Sequence, residues 1–259
     1  MQGEAPHLTV YTVANRRYEP FVLPYAASVL ATNANTVVEI GLEEPRRFER
    51  DNPDALELLG DRLVLSRVEF NNAPNSIRFV TEPSTRADYV YIGDIDILIV
   101  EPIAPSHLAS MAKSGLPYSN IVRPGQERLT GLHFTAWDAF YPLTRIDCRS
   151  TIGLDEYYLW RIIQDRGLPL PPPELKFRPL HGFHLTLSQH PRTYGWGGVT
   201  NALYMDLYQQ MRTSETWVAM LPLFDHRYRA LLSIFEAMAA THHKVDLAPA
   251  PHTMPRDWF

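Results

Sequence analysis

Two acidic residues, Asp94 and Asp96, stand in the middle of the apolar stretch "ADYVYIGDIDILIVEP" at residues 87–102. Ionised side chains are costly to bury in such surroundings unless they meet an opposite charge. Side chains two residues apart in a strand point to the same face, so both carboxylates can converge on one point. Hard oxygen donors so placed suit Mg²⁺ or Mn²⁺, which can neutralise a diphosphate. The pair predicts a metal site if the strand ends near Gly93.

Two histidines in the segment "RPLHGFH", His181 and His184, are candidates for a third metal ligand. Imidazole is compatible with Mn²⁺, and Gly182 beside His181 permits a close backbone approach. We expect His181 to be the ligand and His184 to be its competitor. The alternative for both is a hydrogen-bonded histidine with a structural role.

A second acidic pair, Asp155 and Glu156, stands at the start of the predicted helix "LDEYYLWRIIQDRG". Exposed amides and the helix dipole favour carboxylates at this place, so helix capping is the natural role of Asp155. A catalytic role for Glu156 depends on the family resemblance given below.

Six further residues are candidates for contacts with a nucleotide, a sugar or an acceptor. Forked guanidiniums bind diphosphates well, and a tyrosine ring can stack on a nucleobase. The assigned contacts are Arg78 and Arg86 with a diphosphate, Asp88 with a ribose or base, Tyr11 with a nucleobase, and His133 and Trp137 with a sugar or acceptor. The alternative is a solvated surface position for the charged residues and core packing for Tyr11 and Trp137.

The elements that position these residues alternate between strand and helix from residue 8 to about 100. Strands are predicted at residues 8–14, 36–42, 61–70, 76–81 and 89–100, and helices at residues 20–32 and 44–60. Such alternation predicts an α/β fold with a largely parallel sheet flanked by helices, which binds ligands at the carboxyl ends of its strands.

The remaining chain is less regular. Helices are predicted at residues 105–115, 154–167, 201–212 and 214–241, the first two ended by glycine. We expect one catalytic domain over residues 1–245, with a nucleotide-binding part at about 8–100, an acceptor and metal-completing part at about 101–200 and C-terminal helices at about 201–241. Residues 246–259 form a tail.

Composition excludes several function classes. The net charge of −5, without a basic stripe, argues against nucleic acid as the main partner. The single cysteine, Cys148, excludes an internal disulfide framework and fits a reducing compartment. The sequence shows no secretory signal and no spanning segment, so we expect a cytoplasmic protein. Peripheral membrane contact stays open because residues 221–240 read as an amphipathic helix.

Nucleotide-binding loops of the two common kinds are missing. The segment "ANRRYEP" after the first strand contains no glycine, and no Gly-Lys-Ser/Thr phosphate loop occurs. The stretch "YVYIGDIDILIV" instead resembles the Asp-x-Asp strand of glycosyltransferases with the GT-A fold. The opening "LTVYTVANRRYEPFVLPYAASVL" is similar to their first strand, nucleotide-facing turn and following helix.

Two later segments resemble retaining families of this fold. "LDEYYLW" is similar to a segment of the family that makes blood-group type linkages, in which the glutamate, here Glu156, stands beside the anomeric carbon. "RPLHGFH" resembles the late His-Gly element of the glycogenin-like family, whose histidine, here His181, completes the metal shell. No single family's pattern is complete, and "HPRTYGW" offers Arg192 and Trp196 where that family has a lysine and a tryptophan.

The resemblance implies a retaining glycosyltransferase that uses Mn²⁺ or Mg²⁺ and a nucleotide sugar, with a UDP-sugar preferred. The acceptor would be a saccharide or a glycolipid. The size of the chain and the missing export signal, rather than the resemblance, suggest a cytoplasmic bacterial enzyme of surface polysaccharide synthesis. The alternatives are a sugar nucleotidyltransferase and a non-catalytic carbohydrate-binding protein with the same fold. A phosphatase of the haloacid dehalogenase type fits less well because its acidic pair follows the first strand.

Overall fold

Two β-sheets organise the computed structural model, which describes residues 7–70, 75–123, 125–143, 155–177, 179–185 and 197–243. In chain order the strands of these residues are β1 (Leu8–Ala14), β2 (Thr36–Leu42), β3 (Leu63–Arg67), β4 (Tyr89–Ile92), β5 (Ile97–Ile99), β6 (Tyr118–Ser119), β7 (His133–Ala136) and β8 (Gly182–His184).

The central sheet has six strands in the order β3-β2-β1-β4-β7-β6, and β5 pairs with β8 in a small second sheet. Strands β1, β2, β3 and β4 run parallel, whereas β7 is antiparallel to its neighbours β4 and β6. The predicted α/β class, with a mixed and mostly parallel sheet flanked by helices, is confirmed.

Helices connect the strands much as the sequence predicts. They are α1 (Val22–Thr32), α2 (Pro45–Asp51), α3 (Pro53–Leu59), α4 (Ile77–Val80), α5 (Ala104–Ser114), α6 (Trp137–Phe140), α7 (Asp155–Asp165), α8 (Ala202–Met211), α9 (Glu215–Met220) and α10 (His226–His243). Gly115 stands after α5 in the left-handed conformation, which terminates the helix. Within the described parts of the chain, no helix combines the length and apolar character that a membrane crossing requires.

The central sheet is buried on both faces, as expected for parallel strands between helices. Alternate residues of β1 enter different apolar clusters: Val10 packs with α1 and the C-terminal helices, whereas Tyr11 and Val13 pack on the side of α4, α6 and α7. Burial on both faces explains why the strands read as nearly continuous apolar runs. Because both faces of the sheet are covered, a ligand-binding site can form only at the ends of the strands.

The prediction of one long strand at residues 89–100 is wrong. Strand β4 ends at Ile92, and the Ile97 amide donates a hydrogen bond to the Asp94 carbonyl at 3.3 Å, which closes a turn. The chain then leaves the central sheet as β5. The acidic residues Asp94 and Asp96 therefore lie in the turn between two strands of different sheets, not within one extended strand.

The predicted strand at residues 76–81 is also wrong, because these residues contain the short helix α4. Isoleucine and phenylalanine alternate with polar residues there, as in a half-buried strand. However, three consecutive side chains, those of Ile77, Arg78 and Phe79, are buried, so the alternation does not mark a half-buried strand. Arg78 can be buried because it has carboxylate partners inside the protein. The predicted helix at residues 214–241 is divided into α9 and α10 by a short 3-10 turn that contains Pro222.

Candidate functional site

A cavity of about 250 Å³ opens at the carboxyl ends of β1 and β4. This edge is where open α/β sheets bind ligands. The residues that line it are Val13, Asn15, Tyr18, Phe70, Asn75, Arg78, Asp94, Ile95, Asp96, Asp155 and His184. The set combines three carboxylates, a guanidinium and an imidazole, so the cavity is suited to a charged ligand.

Asp94, Asp96 and His184 form an acidic-imidazole cluster at this cavity. Each side chain offers one ligand atom, and the three atoms lie within 4.8 Å of one another. The Nε2 atom of His184 lies 3.0 Å from Oδ1 of Asp96. Two carboxylates and one imidazole form a donor set that suits Mn²⁺ and, through its oxygens, Mg²⁺.

Pairing between β5 and β8 brings His184 to the acidic turn. Ile97 is opposite His184 in the register, and the Leu185 amide donates to the Asp96 carbonyl at 2.7 Å. Gly182 permits this pairing because a Cβ at that position would lie 1.8 Å from the Leu98 carbonyl oxygen. The small sheet is thus the element that completes the cluster.

Arg78 neutralises the acidic side of the cavity from within the protein. Its Nη2 atom lies 2.7 Å from Oδ1 of Asp94 and 3.1 Å from Oδ2 of Asp155, and its side chain is 8% exposed. Burial raises the pKa of Asp94; the Arg78 charge opposes that shift, and the neighbouring Asp96 carboxylate adds to it. The Nε atom of Arg78 is buried without a hydrogen-bond partner among the described residues.

The second acidic pair is divided between two environments. Asp155 faces the cavity, whereas Glu156 does not line it. Both oxygens of Glu156 are bound by the guanidinium of Arg123, and Oε1 also accepts a hydrogen bond from the Gly131 amide at 3.2 Å. Of the two acidic residues predicted to be catalytic, Asp155 is the one whose carboxylate reaches the cavity.

His181, the residue expected from the sequence to be the third ligand, lies outside the acidic-imidazole cluster, which contains its competitor His184. Its ring is fully buried, with Nδ1 at 2.9 Å from Glu101 and Nε2 at 2.9 Å from His107. Both ring nitrogens already have partners, so neither is directed at Asp94 or Asp96.

Tyr11 and His133 are core residues rather than cavity residues. Both side chains are fully buried, and neither lines the cavity. Burial lowers the pKa of His133 to about 3, and its Nδ1 atom lies 3.2 Å from the side-chain nitrogen Nδ2 of Asn120. Trp137 is also buried. The expected contacts of these rings with a nucleobase, sugar or acceptor are not supported by their positions.

Arg86 and Asp88 precede β4 and therefore lie at the edge of the sheet opposite the cavity. Arg86 forms an exposed ion pair with Asp138, and a carboxylate oxygen of Asp88 accepts a hydrogen bond from the His7 amide. Neither residue lines the cavity. Arg192, Trp196 and Cys148 lie outside the described residues.

Among the cavity residues that were not singled out from the sequence, four have polar or aromatic side chains: Asn15, Tyr18, Phe70 and Asn75. Asn15 and Tyr18 belong to the turn after β1, where the Tyr18 amide donates to the Asn15 side chain at 3.3 Å. Their position directly after the first strand is the feature of the sequence that could have identified them as cavity residues. The aromatic residue that reaches the cavity from this segment is Tyr18, seven positions after Tyr11.

No protein-family model matches the sequence, and no curated protein does. Several solved structures are partly similar, of which three are described here. They are the apo form of the glycosyltransferase GlyE from Streptococcus pneumoniae TIGR4 (10% identity, 49% of this chain and 33% of that chain, TM-score 0.35), TarS from S. aureus (10%, 60% and 33%, 0.39) and the mannosyltransferase PcManGT from Pyrobaculum calidifontis in complex with GDP-Man and Mn²⁺ (14%, 93% and 74%, 0.40).

The chain spans about one third of the length of GlyE and of TarS. Likeness at these identities and TM-scores transfers no residue role and no substrate. Fold and site together define an α/β protein with an acidic-imidazole cluster at the ligand-binding edge of its sheet.

Proposed function

We propose that the protein is a metal-dependent glycosyltransferase of the GT-A type, which transfers a sugar from a nucleotide sugar to a saccharide or glycolipid acceptor. The observation that carries the proposal is the convergence of Asp94, Asp96 and His184 within 4.8 Å at the carboxyl edge of the sheet. A UDP-sugar is the preferred donor, with a GDP-sugar as the second choice to be tested.

The donor set of the cluster fits a divalent cation. Asp94 and Asp96 supply hard oxygens, and His184 supplies a nitrogen that favours Mn²⁺ over Mg²⁺. When bound, such an ion would neutralise the donor's diphosphate and stabilise the departing nucleotide as a Lewis acid. These three residues are the ones that would hold it.

Arg78 and Asp155 supply the charges that the transfer needs from the chain itself. The guanidinium of Arg78 lines the cavity beside the cluster and supplies a positive charge for a phosphate group. Asp155 places a negative charge at the cavity wall, where it can stabilise positive charge that develops at an anomeric carbon. We therefore assign to Asp155 the role that the family resemblance gives to Glu156, and we retain the proposal of a retaining outcome.

The size of the cavity limits which part of the donor it holds. Its volume of about 250 Å³ is below the roughly 300–1,000 Å³ of pockets that enclose a drug-sized ligand. The cavity accordingly suits the diphosphate end of a nucleotide sugar, with the base and sugar extending past its rim. Tyr18 and Phe70 at the cavity provide aromatic surface for such contacts.

The decisive experiment measures nucleotide release from a panel of UDP- and GDP-sugars with Mn²⁺, with Mg²⁺ and after chelation. Nucleotide release that requires the ion, together with product of retained anomeric configuration by NMR, supports the proposal. Nucleotide release that persists after chelation would show that the reaction does not depend on a metal ion. A product of inverted anomeric configuration would contradict the role given to Asp155.

Pairing of the Asp94 and Asp155 carboxylates with the Arg78 guanidinium inside the protein favours one alternative, a carbohydrate-binding protein without turnover. Such a protein would show nucleotide-dependent thermal stabilisation with no transfer to any acceptor. A sugar nucleotidyltransferase would instead release pyrophosphate from a nucleoside triphosphate and a sugar 1-phosphate.

A further inference from the structure

A buried chain of hydrogen bonds runs from Glu101 through two histidines to Ser119. His181 Nδ1 lies 2.9 Å from Oε1 of Glu101, and His181 Nε2 lies 2.9 Å from Nε2 of His107. On the far side, His107 Nδ1 lies 2.9 Å from the Ser119 hydroxyl oxygen. Both imidazoles are buried, at 0% and 2% exposure, so water does not replace these partners.

One arrangement of protons satisfies the whole chain with both rings neutral. The Ser119 hydroxyl donates to His107 Nδ1, His107 Nε2–H donates to His181 Nε2, and His181 Nδ1–H donates to the Glu101 carboxylate. Burial lowers the pKa of His107 well below its ordinary value, and His181 and His133 add to that shift, which agrees with a neutral His107. The chain therefore fixes the orientation of both rings.

The backbone of His181 is held as firmly as its ring. Its amide donates to the Tyr204 hydroxyl at 3.0 Å, and its carbonyl accepts from the Val100 amide at 2.8 Å. His181 has a φ of 59°, a left-handed conformation that is uncommon for a residue other than glycine and needs support from its surroundings. The hydrogen-bonded ring supplies that support directly before β8 begins.

Strand β8 transmits this placement to the acidic-imidazole cluster. It has three residues, Gly182–His184, and its last residue is the imidazole that faces Asp96. Gly182 approaches the Leu98 carbonyl too closely to accept a Cβ, and Gly198 packs on the Gly182 carbonyl in the same way. A strand so short and so tightly confined has little freedom to adjust, so a shift of His181 displaces His184.

We propose that His181 is a positioning residue that sets the place of β8 and thereby delivers His184 to the cation site. The proposal rests on the cation site of the proposed function. It assigns to the first histidine of "HGFH" an indirect role, and it gives Glu101 and His107 the task of orienting His181. Hydrogen-bonding partners of this indirect kind typically change metal affinity by about 10- to 100-fold when they are replaced.

The test compares Mn²⁺ affinity, by titration calorimetry on the full chain, in wild type, His181→Asn, His181→Phe and His184→Ala. Asparagine tolerates a positive φ and can still donate to Glu101, whereas phenylalanine removes every polar contact of the ring. We expect His181→Phe to weaken Mn²⁺ binding by at least about tenfold, and His181→Asn to weaken it less. His107→Asn, which removes the support of the His181 ring, should fall between wild type and His181→Phe.

A double-mutant cycle separates positioning from a general loss of stability. If His181 acts through His184, His181→Phe will weaken binding no further in a His184→Ala background. His133→Asn is the matched control, because it also replaces a fully buried, hydrogen-bonded histidine. It should lower the unfolding temperature while leaving Mn²⁺ affinity unchanged.

Two results would overturn the positioning role: equal Mn²⁺ affinity in wild type and His181→Phe, or additive losses in the cycle. If circular dichroism shows that His181→Phe does not fold, the double-mutant cycle with His184→Ala is measured with His181→Asn and with His107→Asn instead. Failure of the cation site itself is recognised separately, because Asp94→Asn and Asp96→Asn would then leave Mn²⁺ binding intact. Loss of binding in the aspartate variants without coupling between His181 and His184 rejects the positioning role alone.

Discussion

The imidazole of His184 and the carboxylate of Asp96 lie 3.0 Å apart, although 88 residues separate them in the chain. They meet because β5 continues from the acidic turn and pairs with β8, whose last residue is His184. The candidate cation site is thus made by pairing between two short strands outside the central sheet. The central sheet supplies only the turn that carries Asp94 and Asp96.

Replacing Asp96 by asparagine removes one of two carboxylate ligands at the proposed cation site. We expect Mn²⁺ affinity to fall by more than the roughly 10- to 100-fold typical of indirect contacts, and nucleotide release to fall with it. Calorimetry and a release assay measure the two effects. Asp88→Asn is the matched control, since Asp88 lies at the opposite edge of the sheet; equal losses in both variants would contradict this assignment.

The acidic residues at the start of α7 should respond differently to loss of charge. Asp155→Asn is expected to lower kcat by about 100-fold, the scale of losing one electrostatic stabiliser in a catalytic site. Glu156→Gln should chiefly lower the free energy of unfolding, by about 2 kcal/mol, because it weakens charge-assisted hydrogen bonds to Arg123. Steady-state kinetics and urea unfolding of both variants measure these effects. A larger loss of kcat in Glu156→Gln than in Asp155→Asn would assign the catalytic role to Glu156 and the structural role to Asp155.

Gly182→Ala should disturb the site by sterics alone. Its Cβ would meet the Leu98 carbonyl oxygen at 1.8 Å, so β8 must move away from β5. We expect a loss of about 3 kcal/mol in unfolding free energy, at the upper end of overpacking effects, together with weaker Mn²⁺ binding. Gly60→Ala is the control, because that position has a φ of 58° and a ψ of −151° but open space; this glycine-specific backbone conformation should cost about 2 kcal/mol and spare the candidate cation site.

Acid should destabilise the fold through His133. Its pKa falls from 6.5 to about 3 on folding because burial disfavours the imidazolium. The folded protein therefore takes up this proton only near pH 3, whereas the unfolded chain takes it up near pH 6.5, so stability is lost as the pH falls between these values. Over the two pH units from 6.5 to 4.5 the loss is about 2–3 kcal/mol.

Urea unfolding at pH 6.5 and pH 4.5 measures that loss. In His133→Asn the difference between the two pH values should shrink by about 2–3 kcal/mol. An unchanged difference would show that His133 is not the group responsible. His107, whose pKa is also lowered by burial, should leave part of the acid sensitivity in place.

Local patterns in the sequence were sufficient for most of the fold. Strands β1 and β2 and helices α1 and α5 have continuous apolar patterns with clear ends, so their positions could be predicted. The acidic turn was also recognisable, because two carboxylates in an apolar run need a charged partner. The break between β4 and β5 was not, since a strand that changes sheets keeps the same apolar composition.

The choice between His181 and His184 could not be made from the sequence. It depends on the register between β5 and β8, and hence on where one strand is placed against another far away in the chain. Arg78 was assigned to a strand because its neighbours alternate, and a buried ion pair with Asp94 is not visible in such a pattern. Tyr11 was assigned to the ligand side because sequence position alone does not say which neighbours cover a ring.

The small sheet of β5 and β8 also sets an order of events during synthesis. The acidic turn is translated early, but its third partner belongs to a segment made almost ninety residues later. Closing a loop of that length costs roughly 4 kcal/mol in chain entropy by the logarithmic scaling, which the pairing of β5 with β8 must offset. A nascent chain consequently completes the candidate cation site only after residue 184 has left the ribosome.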